Sequence, residues 1–419
     1  MKTVCVLGLG YIGLPTAAIM AANGFKVAGI DINEAIVETI QKGAIHIKEP
    51  GLNTIVTAAV NSGNLTVHTK PVKADVFIIA TPTPIYQDKK ADLSFVISAT
   101  RSIVPVLEKG NLVILESTCP PRTTIDVIAP ILASSGLKAG EDLFLAHCPE
   151  RVLPGNILYE LVYNSRIIGG INEKSALTAQ KVYEKFVQGK IVITDATSAE
   201  MSKLMENTFR DVNIALANEL CKIAYDLNLD ALEIIKLANM HPRVNLHQPG
   251  PGVGGHCLAV DPWFIVEKSN FARLIGLSRE INDSMPEFVI NRAMALLSNI
   301  KDPVITVLGM TYKGNIDDIR ESPAIKIING LCERGCTVKI HDPYVKNSAF
   351  KIYGLSESLS GSDLLLVLAD HKDFKELSPE FSGELVRNRI LLDTKNYLSH
   401  GDWKKNGFAV EALGKYNEL

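Results

Sequence analysis

The residues from Pro249 to Asp261 read PGPGVGGHCLAVD, so a cysteine and a carboxylate stand four apart behind a glycine-rich run. Cys257 offers a soft nucleophile suited to a carbonyl carbon. Asp261 shares its face if the chain turns helical after the loop. Gly252, Gly254 and Gly255 can take positive φ and let another molecule come close to the backbone. The alternative reading of this stretch is a tight loop ending in a small buried cysteine. A second polar set is Lys203, Asn207 and Arg210, spaced i, i+4, i+7 in a helical pattern. A third is Thr83, Thr118 and Glu150, a hydroxyl, a hydroxyl and an acid that each follow an apolar run.

Those sets need a scaffold. Thr3 to Leu7 is predicted as a buried strand that runs into Gly8, Gly10 and Gly13 in G-x-G-x-x-G spacing. A helical pattern follows to Ala22 and ends at Asn23-Gly24; Phe25 to Ile30 is a second strand ending at Asp31. Strand, glycine turn, helix, strand and acid together predict a dinucleotide site, with the pyrophosphate at the helix N-terminus. Asp31 can bond both hydroxyls of an adenosine ribose and disfavours a 2′-phosphate, so the expected cofactor is NAD.

Further strands are predicted at Ala74 to Ala80, Leu112 to Glu116 and Leu143 to Ala146, leading into Thr83, Thr118 and Glu150. In an open parallel sheet, ligands sit outside such carboxyl ends. His147-Cys148 and His256-Cys257 are adjacent pairs whose side chains point apart, so no metal is expected.

Thr197 to Glu200 has capping-box spacing, and the helical period runs on to about Leu227. Leu204, Met205, Thr208, Val212, Ala215 and Leu216 fall on one face, with Lys203, Asn207 and Arg210 opposite. A helix this long and apolar suits a linker between domains or a dimer seam. Ala231 to Ala238 and Glu280 to Ser298 read as further helices. Strands at Pro303 to Leu308, Thr337 to His341, Leu364 to Ala369 and Ile390 to Asp393, with a helix at Pro323 to Glu333, predict a second doubly wound domain. The expected fold is α/β: two Rossmann-like domains joined by a helical one, over residues 1–196, 197–300 and 301–419.

Composition bounds the rest. The 419 residues suffice for two or three domains, at 47% hydrophobic and 21% charged. A formal net charge of −3 gives no electrostatic case for nucleic acid. Seven cysteines without paired spacing fit a reducing cytoplasm. Gly8, Gly10, Gly13 and Pro15 interrupt the first apolar stretch, so a signal peptide is not expected, and no run approaches a membrane span.

The motifs GLGYIG at 8–13, EST at 116–118, PER at 149–151, KLMEN at 203–207, GGHC at 254–257 with Asp261, and Lys313 with RESP at 320–323 resemble the UDP-glucose/GDP-mannose dehydrogenase family. They occur in the family's order from Val4 to about Lys395. The segments CPERVLPG at 148–155, NTFRDVN at 207–213, HPRVN at 241–245 and VDPWF at 260–264 resemble the branch acting on UDP-N-acetyl-D-mannosamine. Gly314 and the turn Met310-Thr311-Tyr312 are mild departures that touch nucleotide contacts.

The resemblance implies a four-electron oxidation of the sugar C6 alcohol to a carboxylate with two NAD+ in succession. It gives Lys203 and Asn207 the alkoxide, and makes Cys257 the nucleophile of a thiohemiacetal and then a thioester. Asp261, Thr118 and Glu150 are placed around the hydrolytic water; which acid takes the proton stays open, with Asp261 preferred and Glu150 assisting. Lys203 would also lower the Cys257 pKa by its charge. Tyr11 and Ile12 join Gly8, Gly10, Gly13, Asp31, Thr83, Thr118 and Arg320 as cofactor contacts. Arg151, Val152, Lys203, Asn207, Arg210, His241, Arg243 and Gly254 are implied for the sugar nucleotide, and Tyr312, Lys313 and Lys395 for its UDP part. A homodimer through the long helix is implied, with the Arg243 segment offered to the partner. Competing readings are UDP-N-acetylglucosamine, UDP-glucose or GDP-mannose as substrate, a two-electron 3-hydroxyacid-type dehydrogenase, and an inactive NAD-binding scaffold.

Overall fold

In a computed structural model, which describes residues 2–415, the chain divides into two compact units. One comprises Met1–Glu206 and Trp263–Asn270, the other Asn207–Pro262 and Phe271–Leu419.

The first unit is built on eight strands: β1 (Thr3–Leu7), β2 (Lys26–Ile30), β3 (Leu65–His68), β4 (Val76–Ile79), β5 (Leu112–Leu115), β6 (Phe144–His147), β7 (Arg166–Gly170) and β8 (Ile191–Asp195). They lie in the order β3-β2-β1-β4-β5-β6-β7-β8. The order reverses beside β1, and that switch point opens a crevice at the strand ends. Alternate residues pack opposite faces: Val4 and Val6 join one core cluster, Cys5 and Leu7 the other. Both faces are covered by helices, which is why β4 and β5 are apolar at every position. The sheet is not wholly parallel as predicted. β7 runs antiparallel to β6, with the short helix Ile157–Tyr163 in the connection between them. The segment Trp263–Asn270 belongs here too, where Glu267 accepts a hydrogen bond from the Ala91 N–H at 2.8 Å.

The second unit holds β9 (Val304–Leu308), β10 (Thr337–His341), β11 (Leu364–Val367), β12 (Ile390–Asp393) and β13 (Ala409–Ala412), all parallel in the order β10-β9-β11-β12-β13. Its switch point lies between β9 and β11. The helix Pro323–Glu333 starts with Ser322 as N-cap and proline in its first turn.

A 32-residue helix, Ala196–Leu227, carries the chain from one unit into the other. Two expectations about it are corrected. Asp195 is its cap, accepting from the Ser198 N–H at 2.9 Å, so Thr197 to Glu200 is not a capping box. Its faces also divide differently. Leu204, Thr208 and Ala215 are buried, but so are Asn207, Asp211 and Asn218, while Met205 and Leu216 are exposed. The interior accepts those polar groups because each has partners: Asp211 takes Arg279 at 2.5 Å and Asn282 at 2.9 Å, and Asn218 takes Asn282 at 2.8 Å. The helix expected over 280–298 is two, Arg273–Asp283 and Met285–Leu296, parted at Ser284 before Pro286. Among the described residues no helix is long and apolar enough to cross a membrane.

Candidate active site

The three fingerprint glycines have three different physical reasons. Gly8 sits at φ +90°, and a Cβ there would lie 2.7 Å from the Ala80 carbonyl oxygen of the neighbouring strand end. A Cβ on Gly13 would lie 1.8 Å from the Gly8 carbonyl oxygen, so helix and turn touch. Gly10 is exposed, and a Cβ there would meet nothing within 4 Å, which leaves its backbone open to a ligand. Tyr11 is exposed and Ile12 half-buried beside it. The first helix, Gly13–Ala22, has no side-chain cap and no acid in its first turn. Its leading N–H groups are therefore suited to an anion. Asp31 follows β2 with its carboxylate over this turn, accepting from the Leu9 N–H at 3.1 Å and the Asn33 N–H at 2.9 Å. A dinucleotide fits this cradle.

The neighbouring strand ends converge as expected for Thr83 and Thr118, since the Thr83 hydroxyl donates to the Thr118 carbonyl at 2.6 Å. Glu150 is buried after β6. Its Oε1 accepts from the Arg151 N–H at 2.7 Å and its Oε2 from Arg166 at 2.8 Å. Arg151 pairs with Glu206 at 2.9 Å and reaches the Ser165 carbonyl at 3.1 Å, and Val152 packs against the core. Lys203 stands half-buried on the long helix in this unit.

His147 and Cys148 point apart, as strand alternation requires. Cys148 faces Arg166 at 3.6 Å, while His147 joins Cys119 and Glu200 in a buried group whose donor atoms lie within 4.8 Å of one another. Glu200 is already engaged there. Its Oε2 accepts from the Arg122 N–H at 2.5 Å, and its Oε1 from the Thr124 N–H, the Thr124 hydroxyl and the Cys119 thiol. It secures the turn after β5. The ring nitrogens of His147 have no hydrogen-bond partner among the described residues, and burial lowers its pKa to about 3, so the ring is neutral.

In the second unit the loop that carries Cys257 is a defined turn. Cys257 is exposed, which excludes the reading as a small buried cysteine. Its carbonyl accepts from the N–H groups of Val260 at 3.1 Å and Asp261 at 2.8 Å, and Asp261 opens the helix Asp261–Val266. Cys257 and Asp261 therefore stand one helical turn apart. Asp261 is 3% exposed and accepts from the Asn207 amide at 2.5 Å. Arg210 donates to the other end of that amide, and a guanidinium only donates, so the Asn207 NH2 faces Asp261. Asn207 thus helps to orient Asp261.

The loop lies on the turn after β9. Gly252 and Gly255 take φ +132° and +84°, but Gly254 does not, contrary to expectation. Gly254 is needed for closeness instead: a Cβ would lie 2.6 Å from the Glu321 carbonyl oxygen and 2.7 Å from the Tyr312 Cβ. The Gly255 N–H donates to the Arg320 carbonyl at 3.3 Å, and the Arg320 side chain forks onto Asp318 at 2.8 and 2.7 Å. Tyr312 is thereby brought to the Cys257 loop. Lys313 is exposed on the same turn, and Lys395 lies 3.7 Å from Asp370, which also accepts from the Gly314 N–H at 3.1 Å. His241 and Arg243 are exposed, with the Arg243 N–H on His241 Nδ1 at 3.3 Å.

Sequence reasoning missed the buried residues behind these groups. Arg279 joins Asp211 at 2.5 Å, Asp283 at 2.5 Å and the carbonyl of Leu258, the residue after Cys257, at 3.5 Å. The Gly250 N–H is held by Asn218 at 2.9 Å. Arg166 and Tyr183 support Glu116 and Glu150. The one available signal was a charged residue at the head of an apolar run, as Arg166 is at the head of β7.

Comparison with known proteins agrees with this geometry. Residues 2–187, 197–284 and 306–400 match the NAD-binding, central and UDP-binding domain models of the UDP-glucose/GDP-mannose dehydrogenase family. The chain is 51% identical over 420 residues to the UDP-N-acetyl-D-mannosamine dehydrogenase of Methanocaldococcus jannaschii, covering 99% of this chain and 96% of that one. A solved UDP-D-ManNAc dehydrogenase from Pyrococcus horikoshii superposes with a TM-score of 0.92 at 42% identity, covering 99% of this chain and 100% of that one. The Staphylococcus aureus UDP-N-acetyl-mannosamine dehydrogenase gives 0.91 at 46% identity, covering 99% of each. The chain belongs to the UDP-glucose/GDP-mannose dehydrogenase family and is an NAD-dependent nucleotide-sugar dehydrogenase.

Proposed function

We propose that this enzyme oxidises UDP-N-acetyl-D-mannosamine to UDP-N-acetyl-D-mannosaminuronate, through a thiohemiacetal and a thioester on Cys257. The observation that carries the reading is the turn in which Cys257 and Asp261 stand one helical turn apart, with Asn207 orienting the acid. NAD, when bound in the cradle of Gly8, Gly10, Tyr11, Ile12, Gly13 and Asp31, with Thr83, Thr118 and Arg320 as further contacts, supplies the hydride acceptor for each of two oxidations.

The chain's own residues do the rest. Lys203 stabilises the alkoxide formed from the C6 alcohol, helped by Asn207. The Cys257 sulfur adds to the aldehyde carbon, which holds the intermediate until its second oxidation gives the thioester. Water then releases the carboxylate, with Asp261 and Glu150 as proton acceptors and Thr118 as a hydroxyl partner of that water. Arg151, Val152, Arg210, His241, Arg243 and Gly254 bind the sugar nucleotide, and Tyr312, Lys313 and Lys395 its UDP end. The amino sugar is supported by the Methanocaldococcus jannaschii and Pyrococcus horikoshii relatives, both UDP-N-acetyl-D-mannosamine dehydrogenases.

We retain the division into 1–196, 197–300 and 301–419, in line with the matched domain ranges. The reading includes a cytoplasmic homodimer that feeds glycan synthesis. Phe209, Leu216, Ile223 and Leu227 are exposed on the long helix and fall within roughly 40° of arc at 3.6 residues per turn. An apolar stripe of this kind supports a seam between two copies.

A substrate panel tests the proposal. UDP-N-acetyl-D-mannosamine should give two NADH per sugar and the highest kcat/KM. A higher kcat/KM with UDP-N-acetylglucosamine or UDP-glucose would move the same chemistry to that sugar.

A further inference from the structure

The cofactor-binding unit contains a buried charged group of which the roles above use Glu150 alone. Glu116 follows β5, Cys148 and Glu150 follow β6, Arg166 opens β7, and Tyr183 ends the helix Glu173–Tyr183. Arg166 is 5% exposed in its side chain, Glu116 0% and Glu150 7%. Arg166 Nη2 donates to Glu150 Oε2 at 2.8 Å. Its Nη1 lies 3.8 Å from Glu116 Oε1 and 3.6 Å from Cys148 Sγ. Glu116 Oε1 accepts from the Tyr183 hydroxyl at 2.6 Å, and its Oε2 faces the Thr16 hydroxyl at 3.4 Å. The Tyr183 ring lies 4.7 Å from the guanidinium carbon.

Two carboxylates and one permanent cation leave an excess negative charge where no solvent can shield it, and that is costly. The group lowers the cost by keeping a proton. Burial raises the Glu116 pKa to about 7, opposed by Arg166 and reinforced by Glu150. Burial pushes the Cys148 thiol up to about 12 and the Tyr183 hydroxyl well above its usual range, so both stay neutral. The charged and titratable groups facing Glu116 are thus Arg166 from β7, Glu150 and Cys148 from the segment after β6, and Tyr183 from the helix. Thr16 adds a hydroxyl from the helix that follows the glycine fingerprint. One guanidinium therefore connects the cofactor helix, through Glu116, to Glu150.

We propose that Arg166 and Glu116 are positioning residues for thioester hydrolysis: Arg166 fixes the Glu150 carboxylate as proton acceptor, and Glu116 sets how far Arg166 neutralises it. The proposal rests on the role given to Glu150 above. In that step the water oxygen bonds to the thioester carbonyl carbon, and the carbon–sulfur bond breaks with the electron pair staying on Cys257. One water proton passes to Glu150, and the carboxylic acid formed loses the other to solvent; no electrons are exchanged. While Glu116 is protonated, the Arg166 charge is devoted to Glu150. Ionised Glu116 draws part of that charge away, so hydrolysis accelerates as pH rises through about 7.

The test follows the acyl-enzyme in single turnovers with UDP-N-acetyl-D-mannosamine and NAD, by NADH absorbance and by intact mass of the species on Cys257, from pH 6 to 8. Arg166→Met should slow acyl-enzyme decay on the order of tenfold to a hundredfold, as loss of one charged hydrogen bond would. The acyl-enzyme should then accumulate, and Arg166→Lys should recover part of the rate. Glu116→Gln should flatten the rise in decay rate near pH 7. If Arg166→Met does not fold, as judged by melting and NAD binding, Glu116→Gln decides through its pH profile. Glu150→Gln separates the two levels. Unchanged decay in Glu150→Gln removes the role of Glu150 itself. Slowed decay there, with a wild-type pH profile in Glu116→Gln and wild-type decay in Arg166→Met, overturns the proposal alone.

Discussion

The two sheets mark their switch points with the same device and then diverge. Gly8 after β1 and Gly309 after β9 take φ +90° and +84°. A Cβ on Gly8 would press 2.7 Å from the Ala80 carbonyl oxygen, and one on Gly309 would press 2.5 Å from the Ala369 Cβ. In both units a glycine turns the chain against the end of the neighbouring strand. After Gly8 a helix starts within five residues and offers backbone N–H groups to a ligand. After Gly309 none starts until Pro323, and the turn presents Tyr312 and Lys313 while side chains brace it from behind. There the Met310 N–H is held by Asp342 at 2.8 Å, and Asp342 in turn by His371 at 3.1 Å. One glycine thus introduces two different constructions, a cradle of peptide groups and a platform of side chains.

The largest expected effect is on packing. Gly13→Ala sets a methyl 1.8 Å from the Gly8 carbonyl oxygen, a backbone atom that cannot swing aside. It should cost upwards of about 3 kcal/mol and abolish NAD binding, read by chemical denaturation and by titration. Gly309→Ala brings its methyl to 2.5 Å from the Ala369 Cβ, a smaller overlap, and adds left-handed strain of about 1–2 kcal/mol, so it should be the milder of the two. Equal losses would end the distinction between a helix-bound turn and a side-chain platform.

Smaller effects should separate the ligands. Asp31→Ala should weaken NAD on the order of tenfold to a hundredfold, from loss of charged hydrogen bonds, and leave the KM for nucleotide sugar within a few-fold. Tyr312→Ala should do the reverse, raising that KM by about tenfold, since Gly255 loses the ring it faces. An NAD affinity that falls with Tyr312→Ala would show that the two turns do not serve separate ligands.

Much of this was legible in the sequence, for local reasons. β1, β10, β12, the helix Pro323–Glu333 and the stop at Asn23-Gly24 follow from apolar periodicity and punctuating glycine or proline, which act over a few residues. The turn joining Cys257 to Asp261 was legible in the same way. The buried polar partnerships were not. Glu116, Glu150, Tyr183 and Arg166 come from four separate elements, and nothing in one sequence shows that they meet. Asn207 was placed on a polar face because its partner Asp261 lies 54 positions away. Glu200 resembled a capping acid because its donors, Arg122 and Thr124, lie more than seventy positions upstream.

Cys257 is the central claim, and the yield of NADH per UDP-N-acetyl-D-mannosamine tests it most directly. The wild-type enzyme should form two NADH per sugar, with a sugar-thioester mass on Cys257 in quenched samples. Cys257→Ala should form no uronate and at most one NADH per sugar. Two NADH and full uronate from Cys257→Ala would contradict the covalent route.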